Sequence, residues 1–426
     1  KGKIAGLKVI TLKNMDMKNK WMISVCMVAV ALVCACAPAW ACSSAVISGK
    51  VTPDGRPLLW KNRETGFLRN HMAYVKGEKY DFVADVNSDN FPKLKEAWVG
   101  SNTAGFALMN TQSYNLELGD IADDDRGPKN GEVIYRALEI CATVEDFCHF
   151  LDTIQKPSGI EANFGVIDAQ GGAAMFEVDG NSYKMFDAND PDVAPHGYVA
   201  RTNFSNGGEL NKGYGYVRFL EVDRVLSKAC AMGGITPQLI FTDIARSFRN
   251  NILDIDLRSG DFNYPKTSGW FTDQDFIPRN NTSCSIVVQG VKKGENPELT
   301  VLWTILGYPP AGVAVPLWVK DNLPAMMSYD KEKGAAPLSA ASLKLADEKV
   351  FHFKQGGGTK HYLHWENLYN LQGTGIMQKM MPIEEKVYQE ALPLQQKWYK
   401  DGKVNVKELD ALYGRIDNML KTEGVF

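Results

Sequence analysis

Short apolar, β-prone runs fill residues 43–120: "SSAVISG", "PLLWKN", "AYVKG", "YDFVADVN" and "GFALMN". Turn formers in "TPDGRP" and "NTAG" separate them. Two helical patterns follow, "NGEVIYRALEICA" and "TVEDFCHFLDTI". The second opens on Thr143, with Glu145 and Asp146 in its first turn, the chemistry of an amino-terminal cap. Strands return at "NFGVIDA", "GAAMFEVD", "SYKMFDA" and "GYVARTN", then helices over about 215–231 and 236–248. A Gly/Pro/Asn-rich loop over about 255–282 precedes two apolar strands, "CSIVVQG" and "LTVLWTILG". From about residue 340 the pattern is helical and charged, and "IEEKVYQEALPLQQKWYKDGKVNVKELDALYGRIDNML" reads as two amphipathic helices. Strands, helices, then strands again predict an α+β domain with sheets inside and helices outside. Its body spans residues 42–335, and a helical extension, 336–426, packs on it.

The amino-terminal region has a different pattern. From Met17, "MKNK" is followed by the apolar "WMISVCMVAVALVCACAPAWA", which ends on Ala39-Trp40-Ala41. A basic start, an apolar run and a small-x-small ending describe a secretory signal peptide over 17–41, with residues 1–16 an upstream extension. The apolar run is short for a membrane span and is soon followed by Pro38. Cleavage after Ala41 leaves 385 residues and takes away six Lys and one Asp, so the net charge moves from −3 to −8. That acidity, with no basic run, argues against nucleic acid and anionic membrane as partners. The expected location is the periplasm or the extracellular space. Four scattered cysteines besides Cys42 (Cys141, Cys148, Cys230 and Cys284) are no disulfide scaffold, and read as buried thiols.

Processing there would place Cys42 first. An amino-terminal cysteine carries its own base, because a free α-amine has a pKa near 8 and lies within reach of the thiol. No histidine is needed, and the six present sit in no triad-like context. From Cys42 the chain reads "CSSAVISGKVTPDGRPLLWKNRETG". This resembles the Cys-type amino-terminal-nucleophile hydrolases, in the branch of choloylglycine hydrolases and acyl-coenzyme A:6-aminopenicillanic acid acyltransferases. There the second strand returns beside the first and ends in an Arg/Gln-Asn-x-Asp motif, matched here by Lys61, Asn62 and Glu64. "NTAGFALMN" resembles the segment whose last Asn helps form the oxyanion hole, Asn110 in this chain. "ARTNF" resembles a strand end whose Asn contacts nucleophile and substrate carbonyl, Asn203. "GYGYVRFLEVDRVL" resembles the segment carrying a late active-site Arg, with Arg218 the match ahead of Arg224 and Arg201. Lys61 for Arg and Glu64 for Asp are departures. Of Lys61 and Arg63, one is expected to face outward, and the resemblance puts Lys61 inside.

The resemblance implies a four-layer α/β/β/α sandwich with added carboxy-terminal helices. It also implies hydrolysis of a linear, non-peptide N-acyl amide through a thioester on Cys42, without metal or organic cofactor. Asn110 and Asn203 would donate N–H groups to the oxyanion. Lys61 or Arg218 would favour the thiolate, and Glu64 would orient the α-amine. The expected partner is a small-molecule amide, with a homo-oligomer left open. Acyl transfer to an amine, a Cys-type dipeptidase, and a non-catalytic lipoprotein anchored at Cys36 or Cys42 are the rival readings. "HYLH" at 361–364 is a metal pair with nothing to complete it, so a helix or loop surface is expected. The aromatic loop "DFNYPKTSGWFTDQDF" is expected to line a substrate pocket.

Overall fold

The computed structural model describes residues 42–119, 122, 125–353 and 362–426. The signal-peptide segment, with Cys26, Cys34, Cys36 and Ala41, lies outside them, as does His361. The described residues between Cys42 and Phe426 belong to one compact unit.

The described residues build two large antiparallel sheets. The first runs β10 (Tyr198–Arg201), β1 (Ser43–Ile47), β2 (Leu58–Glu64), β14 (Thr282–Gln289), β15 (Val301–Leu306) and β16 (Val315–Trp318). The second follows chain order: β3 (Asn70–Val75), β4 (Phe82–Asn87), β5 (Val99–Asn102), β6 (Ala107–Gln112), β7 (Ala162–Ile167), β8 (Ala173–Val178) and β9 (Tyr183–Asp187). Two short ribbons, β11 (Arg249–Asn250) with β12 (Ile255–Asp256) and β13 (Trp270–Thr272) with β17 (Tyr362–His364), lie outside them.

The sheets face each other through the side chains of alternate residues. Gly165 of β7 marks the closest approach. A Cβ there would lie 2.3 Å from Met109 Cε and 2.8 Å from both Leu59 and Val46, so any larger residue would force those side chains to shift. Val46 and Leu59 therefore define the inner face of β1 and β2. The outer face of the second sheet is covered by α1 (Asn130–Ile140) and α2 (Val144–Thr153), around Phe147, Phe164 and Phe176. Thr143 caps α2 as expected, its hydroxyl accepting from the Asp146 N–H at 3.0 Å. Against the first sheet pack α3 (Tyr216–Ala231), α4 (Pro337–Leu345), α5 (Ile376–Asp401) and α6 (Val406–Thr422). The result is the α/β/β/α arrangement.

Several local expectations change. The helix expected over 236–248 is a turn of α-helix, Pro237–Leu239, running into a wider π-helical stretch, Ile240–Ala245. Leu363 and His364 of "HYLH" form a strand, because they pair with β13 and His364 stacks on Trp270 at 4.5 Å. Within the aromatic loop, Phe276 joins Phe248 and Trp365 in a third apolar cluster, while Tyr264 stays exposed. Cys42, Cys141 and Cys284 are buried, Cys148 and Cys230 only half-buried, and all five are free thiols.

The carboxy-terminal helices are tied to the body by a buried ion pair. Arg246 donates to both carboxylate oxygens of Glu384 on α5, at 2.8 and 2.6 Å, and to the carbonyls of Pro309 and Gly312. Glu384 also accepts from the Ala314 N–H and the Tyr388 hydroxyl. Removing one partner strands the other charge in the core. Glu384→Gln is therefore expected to destabilise the protein by about 3–5 kcal/mol, read from denaturant midpoints. A loss under 1 kcal/mol would show the pair to be incidental.

Candidate active site

The strand order β10–β1–β2–β14 brings four chain segments to one end of the first sheet. Continuing the register, by one residue towards β2 and by two towards β10, sets Cys42 between Arg63 on β2 and Asn203, just past β10. All seven residues expected at the site (Cys42, Lys61, Asn62, Glu64, Asn110, Asn203 and Arg218) are buried.

Cys42 is held through its main chain. Its nitrogen donates to Asn203 Oδ1 at 2.8 Å, and its carbonyl accepts from Arg218 Nη1 at 2.8 Å. The thiol lies 3.8 Å from the Glu64 carbonyl oxygen. Arg218 also donates to Ser43 Oγ at 2.8 Å and to Asn203 Oδ1 at 2.7 Å. A guanidinium can only donate, so the atom of Asn203 facing Arg218 and Cys42 is its oxygen. The Asn203 NH2 group donates to the Gln112 carbonyl at 2.8 Å. The structure thus turns Asn203 towards the Cys42 nitrogen by its acceptor end, where the sequence pointed to an oxyanion donor.

Glu64 is likewise placed for a different contact from the one expected. Its carboxylate accepts from Arg279 Nε at 2.7 Å and also meets Arg279 Nη2. It lies 3.6 Å from Arg218 Nη1 and 3.3 Å from Asn62 Nδ2. Glu64 therefore holds two guanidinium groups together, and one of them holds Cys42. Asn62 donates also to the Ile277 carbonyl at 3.3 Å, and its Oδ1 is buried without a partner. Arg279 was not singled out in the sequence. It enters from the loop before β14, and no motif marks it.

Lys61 and Arg63 both point inward, which overturns the expectation that one faces outward. Residues two apart on a strand share a face. Lys61 donates to Asn110 Oδ1 at 2.8 Å and to the Trp98 carbonyl at 2.9 Å. Arg63 lies over the Trp98 ring, 4.7 Å from its centroid, and pairs with Asp85 at 3.1 Å and Asn87 at 2.6 Å. An ammonium too can only donate, so Lys61 takes the oxygen of Asn110 and leaves its NH2 end for another acceptor. The competing arginines are engaged elsewhere, Arg201 with Glu177 and Arg224 with Glu221.

Burial lowers the Lys61 ammonium from 10.5 to about 8, with Arg63 adding to the effect, while Cys42, Cys284 and Asp85 oppose it. A fully buried Arg218 is also lowered by desolvation, against the pull of Glu64. Among the described residues no group of three or more His, Cys, Asp or Glu could hold a metal. A cavity of about 480 Å³ lies along α3, between Glu221, Lys228, Asp243 and Arg258, and none of the seven site residues lines it.

No protein-family model matches the chain, and no curated protein matches it. Solved structures similar to it include penicillin V acylase from Agrobacterium tumefaciens, at 13% identity and a TM-score of 0.40, covering 66% of this chain and 89% of that one. A mutant conjugated bile acid hydrolase from Clostridium perfringens aligns at 12% identity and a TM-score of 0.37, covering 65% and 92%. The Caenorhabditis elegans ortholog of N-acylethanolamine-hydrolyzing acid amidase aligns at 14% and 0.34, covering 60% and 92%.

The Lys61 shift has a signature in stability. The unfolded chain keeps that proton to pH 10.5 and the folded chain to about 8. The penalty, on the order of 3 kcal/mol, is fully present below pH 8 and is relieved as pH rises towards 10.5. Lys61→Met is expected to be favoured over the wild type near pH 7 relative to pH 10.5, in denaturant titrations at both. A stability difference independent of pH would contradict a buried ammonium.

Proposed function

We propose that this protein is an exported amide hydrolase whose nucleophile is the thiol of Cys42 and whose base is the α-amine of the same residue, freed by cleavage after Ala41. The observation that carries this reading is the clamp on Cys42. Its nitrogen, carbonyl and thiol are each held by a different segment, Asn203, Arg218 and Glu64, at one end of the first sheet. Any buried backbone N–H takes an acceptor; a residue that is both base and nucleophile also needs one that still orients its amine once the peptide bond before it is cut, and the side chain of Asn203 is placed to be that acceptor.

With the amine free, Asn203 Oδ1 takes one of its N–H groups and fixes where its lone pair points. The amine removes the thiol proton, and sulfur attacks the carbonyl carbon of an N-acyl amide. The oxyanion that forms is met by the NH2 end of Asn110, whose oxygen Lys61 holds. The α-ammonium returns its proton to the nitrogen of the leaving amine as the carbon–nitrogen bond breaks. Water, deprotonated by the same amine, then cleaves the thioester and releases the carboxylic acid. Arg218 keeps this geometry while contacting neither proton, through Cys42, Ser43 and Asn203 together.

Incubating the mature protein with N-acyl amino acids differing in acyl group, then quenching in acid for intact mass, tests the reading. The expected result is a mass gain equal to the acyl group, removed by hydroxylamine, on the wild type alone. Turnover in Cys42→Ala should fall by several orders of magnitude. Full turnover in that variant would refute the proposal.

A further inference from the structure

Two charge clusters lie on opposite faces of β2. On the outer face Arg218 and Arg279 are matched by Glu64, and Asp273 and Asp275 also act on Arg279 through space. On the inner face the balance differs. Lys61 and Arg63 are both buried there, and the carboxylate between them and the second sheet is Asp85 of β4, itself fully buried. Arg63 claims it, at 3.1 Å. Lys61 forms no ion pair among the described residues, and both its hydrogen-bond acceptors are neutral carbonyl oxygens.

Two thiols border this cluster. Register places Cys42 on one side of Arg63, and Cys284 of β14 is paired with Arg63 on the other. Burial and the Asp85 charge push the Cys284 thiol well up, and Oδ1 of Asp85 is buried without a hydrogen-bond partner. Burial likewise pushes the Asp85 carboxyl up, against the pull of Arg63 and Lys61.

We propose that Asp85 is a positioning residue for the nucleophile: by pairing with Arg63 and facing Cys284, it leaves Lys61 as the unmatched buried cation and so makes a Cys42 thiolate its counter-charge. The proposal rests on Cys42 being the nucleophile. Two cations and one carboxylate leave one positive charge over on the inner face, and an opposite charge at close range is the strongest means of favouring an ionised thiol. Asp85 touches no reacting atom. It acts by deciding which cation stays free and which thiol stays protonated. The other charged groups near the sulfur in the mature protein are Arg218, which also feels the Cys42 charge and is matched by Glu64, Arg63, which is matched by Asp85, and the Cys42 amine itself.

The test is the pH dependence of Cys42 alkylation by iodoacetamide in the mature chain, read on its own peptide by mass spectrometry. Lys61→Gln is expected to move the midpoint up by roughly 1–3 pH units. The double variant Arg63→Gln/Asp85→Asn removes one charge of each sign and is expected to leave the midpoint in place. Asp85→Asn alone frees a second cation and is expected to move it down by about one unit. Because that single variant strands Arg63 and can fail to fold, the comparison of Lys61→Gln with the double variant decides. A double variant that shifts the midpoint as far as Lys61→Gln overturns the proposal. So does an Asp85→Asn protein that is less stable but alkylates as the wild type does. Turnover of N-acyl amino acids is measured in parallel. Midpoints that behave as expected in a protein that hydrolyses none of them leave Asp85 its role and remove the hydrolase reading. Turnover that depends on Cys42 with midpoints indifferent to Asp85 does the reverse.

Discussion

Arg218 is the group on which the site turns. One buried guanidinium binds the Cys42 carbonyl, the Ser43 hydroxyl and the Asn203 amide oxygen. It thereby fixes the start of β1 against the end of β10 and sets the acceptor that faces the Cys42 nitrogen. A charge buried this deeply is tolerated only with a matched partner. Glu64 supplies it from the neighbouring strand and recruits Arg279 to its other oxygen. Three strands and a helix are thus locked to one another at the point where a nucleophile would have to be held still.

The second layer of control comes from the opposing sheet. Lys61 and Arg63 cross the gap between sheets to Asn110, Trp98, Asp85 and Asn87. Lys61, Arg63 and Asp85 are all buried in that gap, so charges inside it act at low dielectric and small differences in pairing count. The inner face sets electrostatics, and the outer face sets position. Both meet at Cys42 because it immediately precedes β1, the strand that lies between β10 and β2.

Much of this was legible in the chain. Strand-turn-strand after Cys42 placed Lys61, Asn62 and Glu64 beside it, since a hairpin returns its second strand antiparallel to the first. Asn203 and Arg218, close in sequence, follow from a strand that feeds a helix. The rest depends on contacts that no local pattern encodes. Arg279 reaches Glu64 only because β14 docks on β2, 215 residues away from Glu64 along the chain. Asp85 looks like any polar residue on a half-exposed strand until the two sheets close over it. Which end of the Asn203 amide faces Cys42 is set by Arg218, a constraint absent from the donor role that the resemblance implied. The period of two was also available for Lys61 and Arg63, and applying it would have put both inward.

Amino-terminal sequencing with intact-mass analysis of the exported protein bears most directly on the central claim, that processing turns the clamped nitrogen of Cys42 into a working base. The account predicts a chain that starts at Cys42 with an unmodified amine. A chain starting at any other residue, or one whose terminal amine carries an acyl group in every molecule, would contradict it.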